Sequence, residues 1–339
     1  MQSLCLPKLS IIMPVLNGVK TFEKALRSVL DQHYDNLELI IIDAGSTDGT
    51  IDLIKRYESY FTYWHSRPDG GPIVGANQGI KRATGDLIAL LMADDWYEPA
   101  TLKKIGYASL QYKDADIISC GGRIVEYDAT NNCYRPKWVY ATAKKMELTF
   151  KNICFDVVSA ICCRFIRQSL FQRIGPFIAL DSRGKPLLSN DKEFLLRAMI
   201  YQVKNVYVNH VGHNYLAHPG SSTFGNQKIN ILKLCYEHME IIESHLETYQ
   251  HILSTKQKFG LIYWYHDQST RLILYKLLDL NFRMAFLTTK KSLKKYNIFW
   301  VFGFVETTCR IILKRVFRLL KGSMTRGKNE KTYILSDKL

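Results

Sequence analysis

Apolar positions follow two regimes along this chain, with the change near Asn226. Before it, short unbroken apolar runs alternate with stretches in which apolar residues recur every three or four positions. Leu9-Ser10-Ile11-Ile12-Met13, Leu37 to Ile42 and Leu87 to Met92 have the length and branching of strands buried on both faces. Between them, Phe22, Leu26, Val29 and Leu30 mark one helical face, and Ile51, Ile54 and Tyr57 mark another. Phe61 to His65 reads as a further strand, and a short helix is expected near Gly75 to Ala83. Alternating strands and helices, with connections too long for hairpins, predict an α/β fold on a mainly parallel sheet with right-handed crossovers. Pro14 is expected to end the first strand, because it has no N–H for a ladder. Ser46 is expected to cap the helix after the second strand. A helix is expected from Pro99 to about Tyr112 and a strand from Asp116 to Ser119. Gly121 to Tyr127 and Trp138 to Ala141 read as less regular β segments.

After Asn226 the pattern is helical. Ile229, Leu232, Tyr236, Met239, Ile242 and Leu246 form one stripe, and Leu272, Tyr275 and Leu278 suggest a second. Ile298 to Val305 is followed by Ile311, Ile312, Val316, Phe317 and Leu319, set among Arg310, Lys314, Arg315, Arg318 and Lys321. The formal net charge is +15, and residues 290–339 alone carry thirteen Lys or Arg against three acids. The basic excess is therefore local. Aromatic and aliphatic bulk beside cations suits a helix lying in an anionic membrane interface. A core helix with a solvated basic face is the alternative. Nucleic acid is not an expected partner, since no recognised binding module accompanies the charge.

Eight cysteines show no CxxC pair, and Cys162 and Cys163 sit in an apolar run, so neither a zinc site nor a disulfide framework is indicated. The reading is a reducing cytoplasm, without a signal segment or a membrane-spanning run.

Carboxylates fall at the carboxyl ends of the predicted strands, where ligands bind in open α/β sheets. Asp43 follows the second strand, and a carboxylate there can accept hydrogen bonds from a base or ribose. Asp94 and Asp95 follow the Leu87 run. Adjacent carboxylates repel unless a cation relieves them, and a hard divalent metal carrying phosphate oxygens does so. The alternative is that Asp94 caps the following helix while Asp95 is solvated. Arg67 and Asp69 flank Pro68 before Gly70 and Gly71, a loop whose backbone can approach a nucleotide closely. Ser189 to Arg197 reads as a helix start, with Asn190 and Glu193 spaced for a capping box and Asp191 in the first turn. His210, His213 and His218 do not share the spacing of one helical face.

Pro14-Val15-Leu16-Asn17, Asp43 to Thr50, Asp69-Gly70-Gly71, Asn77-Gln78-Gly79 and Ala93-Asp94-Asp95-Trp96-Tyr97 occur in the order and spacing of the family 2 glycosyltransferases. The chain resembles that family over about a hundred residues in register, and more loosely to about residue 220. The resemblance implies the GT-A fold over residues 1–225, with a donor half of about 1–115 and an acceptor half of about 116–225. Beyond it lie a helical, membrane-associating region (226–321) and a disordered basic tail (322–339). It implies a nucleotide-diphosphate sugar donor, first of all a UDP-sugar, contacted by Pro14, Asn17, Asp43, Arg67, Asp69, Asn77 and Asp94. It also implies Mg²⁺ or Mn²⁺ on Asp95; apart from the resemblance, His218 is expected to approach the diphosphate or the metal when the Pro219-Gly220 loop closes. Asp191 then takes the acceptor proton as general base in an inverting displacement. The acceptor expected is a glycan or polyprenyl-linked sugar of surface polysaccharide assembly, with the enzyme seated on the inner face of the cell membrane. In the place where many relatives carry an acid shortly before the Asn, this chain has Val74 and Gly75. A sugar-phosphate nucleotidyltransferase is the other enzyme class. It would want a glycine-rich basic loop after the first strand, and Pro14 to Asn17 is not one. A non-catalytic membrane-associated binding protein is the third reading.

Overall fold

The computed structural model describes residues 5–155, 160–220 and 227–324, with side chains except at 227–230, 297–299 and 314–324. The described residues form two compact units: those within 1–153 and 158–225, and those within 154–157 and 226–339. The sequence readings at Asn226, Ile229, Ile298, Phe299 and from Lys314 onward fall outside the described side chains.

In chain order the first unit carries β1 (Leu9–Val15), α1 (Phe22–Leu30), β2 (Leu37–Asp43), α2 (Thr50–Arg56), β3 (Tyr63–Ser66), α3 (Pro72–Arg82), β4 (Leu87–Leu90), β5 (Trp96–Tyr97), α4 (Thr101–Gln111), β6 (Ile117–Asp128), β7 (Cys133–Ala141), α5 (Ala143–Met146), β8 (Arg164–Arg167), α6 (Gln168–Ile174), α7 (Asn190–Ile200) and β9 (Asn205–Leu216). One sheet runs in the order β3-β2-β1-β4-β8-β6-β9-β5, with β7 added to β6. The strands β3, β2, β1 and β4 are parallel, β8 runs against both neighbours, and β6 and β9 are parallel again.

Strand alternation explains why both faces of this sheet are apolar. Leu9, Ile11 and Met13 of β1 join Leu39, Ile41 and the α1 face of Phe22, Ala25, Leu26 and Val29 in one buried cluster. Ile12 and Ile42 point the other way, against α3. That helix lies close to the sheet because a Cβ at Gly79 would come within 2.4 Å of the Ile12 side chain.

Pro14 does not end the first strand; it lies inside β1, opposite Ile42. Val15 O accepts from Ala44 N on the β2 side and Ile12 O accepts from Leu91 N on the β4 side, so even-numbered residues face β4. The β4 pairing ends at Ile12 and Leu90, and the missing N–H of Pro14 falls beyond it. Two expected caps also differ. Gly49 precedes α2, and Ser46 instead bonds Asp43. Asn190 is the first residue of α7 and donates Nδ2 to Leu187 O at 2.7 Å, and Glu193, expected to complete its capping box, is held in a buried ion pair by Arg197 at 2.7 Å.

The second unit contains α8 (Gln227–Thr248), α9 (Thr255–Leu278) and α10 (Phe282–Met324). Ser254 and Gln257 close a capping box on α9. Trp300 and Ala285 of α10 pack with Ile273 of α9, and Trp300 Nε1 donates to Ser269 Oγ at 2.9 Å. The run around Trp300, read as one interfacial stripe, therefore divides: Trp300 and Phe304 pack inward, while Val301, Phe302 and Val305 are exposed. Leu278, read as part of a buried stripe, is exposed, whereas Leu272 is buried. No helix among the described residues is long and apolar enough to cross a membrane.

Candidate active site

The parallel strands β1, β2, β3 and β4 end on the same edge, and four loops open there: Leu16-Asn17-Gly18, Ala44 to Gly49, Arg67 to Gly71, and Leu91 to Asp95. Asp43 ties three of the strand ends together. Its buried carboxylate accepts from Gly45 N at 3.0 Å, Ser46 N at 2.9 Å and Ser66 Oγ at 2.6 Å, and also from Ser46 Oγ. Ser46 Oγ in turn accepts from Asn17 N at 2.8 Å, and Asn17 Oδ1 accepts from Thr47 N at 2.9 Å. Asn17 sits at φ 52°, the left-handed region that asparagine tolerates. Asp43 thus accepts from protein donors of the Ala44 to Gly49 loop and of β3, and these bonds fix the strand ends around it. Asp48 is also structural, accepting from Val19 N and Thr50 N at 3.0 Å.

Asp69 accepts from Gly71 N at 2.8 Å, and its second oxygen lies where a Cβ of Gly75 would stand, 2.5 Å away. Glycine in the place of an acid at 75 therefore makes room for Asp69. Arg67 is exposed and reaches Gln78 Oε1 at 3.2 Å. Asn77 turns away from the donor loops: its amide donates to Phe177 O at 2.7 Å and accepts from Phe177 N at 3.2 Å. That clamp fixes the 176–177 turn on α3, and Pro186 stands over Gly71. Asp191 is half-buried in the first turn of α7, with Oδ1 accepting from Lys192 N at 2.7 Å. Lys192 Nζ is anchored on Ile153 O at 2.9 Å, which holds this turn in place. Behind it, burial lowers the Arg164 guanidinium to about 10, while the charge of Asp191 acts to raise it.

Asp94 and Asp95 occupy different environments, and antiparallel pairing is the cause. Trp96 pairs with Asn214 and Tyr97 with His213 in β5 and β9. Residues just before Trp96 therefore lie opposite those just after Asn214. Asp95 is 2% exposed; Oδ1 accepts from Leu216 N at 3.0 Å and Oδ2 lies 3.3 Å from His213 Nε2. His213 Nδ1 in turn meets Tyr140 Oη at 2.9 Å. Burial raises the Asp95 carboxyl, and His213, although burial alone would lower it, is held well above its ordinary value by the Cys163 sulfur and Asp95.

Asp94 is partly exposed, and its Oδ2 lies 2.9 Å from His218 Nε2, itself partly exposed. Asp94, with His218, is thus partly exposed at the open edge, while Asp95 is buried behind it. Sequence reasoning named His213 only within a histidine group and missed Tyr140, and with them the contacts that join both to Asp95. The alternation of His213 with Tyr215 in a strand was the available signal, but its pairing with Tyr97 was not. His210 belongs elsewhere, between Thr101 Oγ1 at 3.0 Å and Lys104 Nζ at 3.1 Å.

Among the described residues, two donor sets bear on a divalent cation at this edge. Asp95, Cys162 and His213 bring ligand atoms within 4.8 Å of one another, all buried. A thiol in a closed site does not suit a hard cation that must also carry two phosphates. Asp94 and His218 do suit it: one carboxylate oxygen and one imidazole nitrogen converge at an open edge.

Residues 10–175 match the family model described as glycosyl transferase family 2. An uncharacterized glycosyltransferase of Rickettsia prowazekii is 28% identical over 212 residues, which cover 62% of this chain and 63% of that one. A PGL/p-HBAD biosynthesis glycosyltransferase of Mycobacterium bovis is 30% identical over 175 residues, covering 50% and 63%. The chain thus spans less than two thirds of the length of these relatives. Among solved structures, S. aureus TarS 1-349 in complex with UDP-GlcNAc superposes with a TM-score of 0.52 at 16% identity, covering 86% of this chain and 89% of that one. The mannosyltransferase PcManGT of Pyrobaculum calidifontis, in complex with GDP-Man and Mn²⁺, gives 0.51 at 13% identity, covering 90% and 88%. The likeness extends the shared GT-A fold beyond the matched residues, and residues 10–175, just under half of the chain, are similar to glycosyl transferase family 2.

Proposed function

We propose that the protein transfers a sugar from a nucleotide-diphosphate sugar to a hydroxyl of a glycan or lipid-linked acceptor, with inversion at the anomeric carbon. The observation that carries this is the convergence of Asp94 and His218 on the open edge where four strand-end loops meet. Asp94 and His218 would hold Mg²⁺ or Mn²⁺, which supplies charge neutralisation for the departing nucleoside diphosphate. Asp95 positions Asp94, as supporting groups commonly orient a metal ligand. The loops fixed by Asp43 and Asp69 take the nucleotide, and Arg67 lies beside them for the diphosphate.

Asp191 is the general base. The acceptor oxygen attacks the anomeric carbon, the bond from that carbon to the diphosphate oxygen breaks, and the acceptor proton passes to Asp191. A second seat of binding is the helical unit, which carries exposed apolar and basic residues and suits an anionic membrane surface. Peripheral attachment at the inner face of the cell membrane, with surface polysaccharide as product, follows from that reading.

A panel of UDP- and GDP-sugars tests the enzyme reading, since the two fold neighbours are in complex with UDP-GlcNAc and GDP-Man. Donor hydrolysis that requires Mn²⁺ and is lost in Asp94→Asn is the expected result. Metal-dependent turnover retained in that variant would overturn the assignment.

A further inference from the structure

The turn joining α9 to α10 is built against the ordinary rules for a loop in water. Leu277, Leu278, Leu280, Phe282, Phe286 and Leu287 are all exposed, with Leu280 at 75% and Leu278 at 70%. Leu280 also sits at φ 56°, a left-handed position where glycine or asparagine is favoured and leucine is strained. The next residue, Asn281, caps α10 through Oδ1 to Met284 N at 3.1 Å, so the turn is well formed. An exposed leucine in a strained turn gains nothing from the fold around it. Contiguous apolar surface of this kind marks a binding face.

The charges around the turn say what covers it. Residues 276–295 hold six Lys or Arg and one acid, Asp279. Lys291 and Lys295 are paired with Glu243 at 3.0 and 3.3 Å. Lys276, Arg283, Lys290 and Lys294 have no ion pair among the described residues. Phe282, Phe286 and Leu293 follow one line along α10 at spacings of four and seven, and Arg283, Lys290 and Lys294 follow the line beside it. A second copy of this chain would bring the same cations against each other. An anionic lipid surface accepts both lines, taking the side chains of the turn below its headgroups and the cations among them.

We infer that the α9–α10 turn is the membrane anchor, inserted through Leu278, Leu280, Phe282 and Phe286 and held by Arg283, Lys290 and Lys294. The inference rests on the membrane-seated reading above and locates it. It places the anchor at a helix hairpin, not in the basic C-terminal stretch that the sequence pattern favours.

Flotation of the full chain with phosphatidylcholine vesicles, with and without phosphatidylglycerol, tests it. The protein is expected to float with the phosphatidylglycerol vesicles. The Leu278→Asp/Leu280→Asp variant is expected to lose about a hundredfold in partition, with circular dichroism and Mn²⁺-dependent donor hydrolysis unchanged. Leu280→Asn separates a lipid role from a structural one: asparagine suits the turn, so the melting temperature is held or raised while flotation weakens. Variants that float like the parent overturn the turn as anchor and leave the membrane reading standing. A parent that does not float overturns both, and variants that instead dissolve a dimer in light scattering assign the turn to a second copy.

Discussion

The two units place polarity in opposite ways. The sheet unit keeps Leu9, Ile11, Phe22 and Ile41 inside, and at its strand ends the buried carboxylates of Asp43 and Asp95 meet fixed donors. The helical unit buries Glu237, His238, His245, His266, Asp267 and Gln268, and exposes Leu278, Leu280, Phe286 and Phe302. Its interior is cross-linked by charge: Asp267 accepts from Arg271 at 2.7 Å and also from Arg310, and His238 Nδ1 meets Gln268 Oε1 at 3.0 Å. A buried polar group must be matched, and an exposed apolar one is tolerated singly but not in patches. The difference teaches that the first unit keeps its apolar side chains inside and gathers polar groups at one sheet edge, whereas the second buries polar groups and leaves several large apolar side chains outside.

Breaking the ligand edge gives the largest effect. Asp191→Asn is expected to lower transfer by about a hundred- to ten-thousandfold, with donor binding retained, because the amide oxygen can still accept from Lys192 N. Normal turnover in that variant removes Asp191 as base. The next effect contrasts apolar residues in the two units. Phe22→Ala is expected to cost about 3–5 kcal/mol in denaturant unfolding, whereas Leu278→Ala stays within about 0.5 kcal/mol. Comparable losses at the two positions would erase the contrast. The smallest effect concerns pH. Burial lowers the His266 imidazole to about 4. Between its ordinary value and 4, the unfolded chain takes up a proton that the folded chain refuses, so stability falls as pH falls through that window. His266→Gln is expected to flatten that part of the melting-temperature profile, and an unchanged slope would place the dependence elsewhere.

The strands of the sheet unit were legible because unbroken apolar runs ending in turn residues admit few other folds. Burial of individual carboxylates was not. Asp94 and Asp95 are equivalent in sequence, and only the pairing of Trp96 with Asn214, 118 positions on, sends one inward to Leu216 and His213 and the other outward to His218. Local capping signals at Ser46 and Asn190 lost to other local partners, Asp43 three residues before Ser46 in one case and the i,i+4 pair of Glu193 with Arg197 in the other. Asn77 kept its motif position but spends its amide on Phe177, 100 residues away. In the helical unit the periodicity gave helices but not their faces, because buried histidines and exposed leucines invert the usual rule.

Calorimetric titration of nucleotide-diphosphate sugars, with and without Mn²⁺, into the parent chain and Asp94→Asn tests the central claim most directly. The account predicts that at least one UDP- or GDP-sugar binds the parent in a Mn²⁺-dependent manner and that Asp94→Asn abolishes the Mn²⁺ dependence. Mn²⁺-dependent binding that survives in Asp94→Asn, or no binding of any such donor, would contradict it.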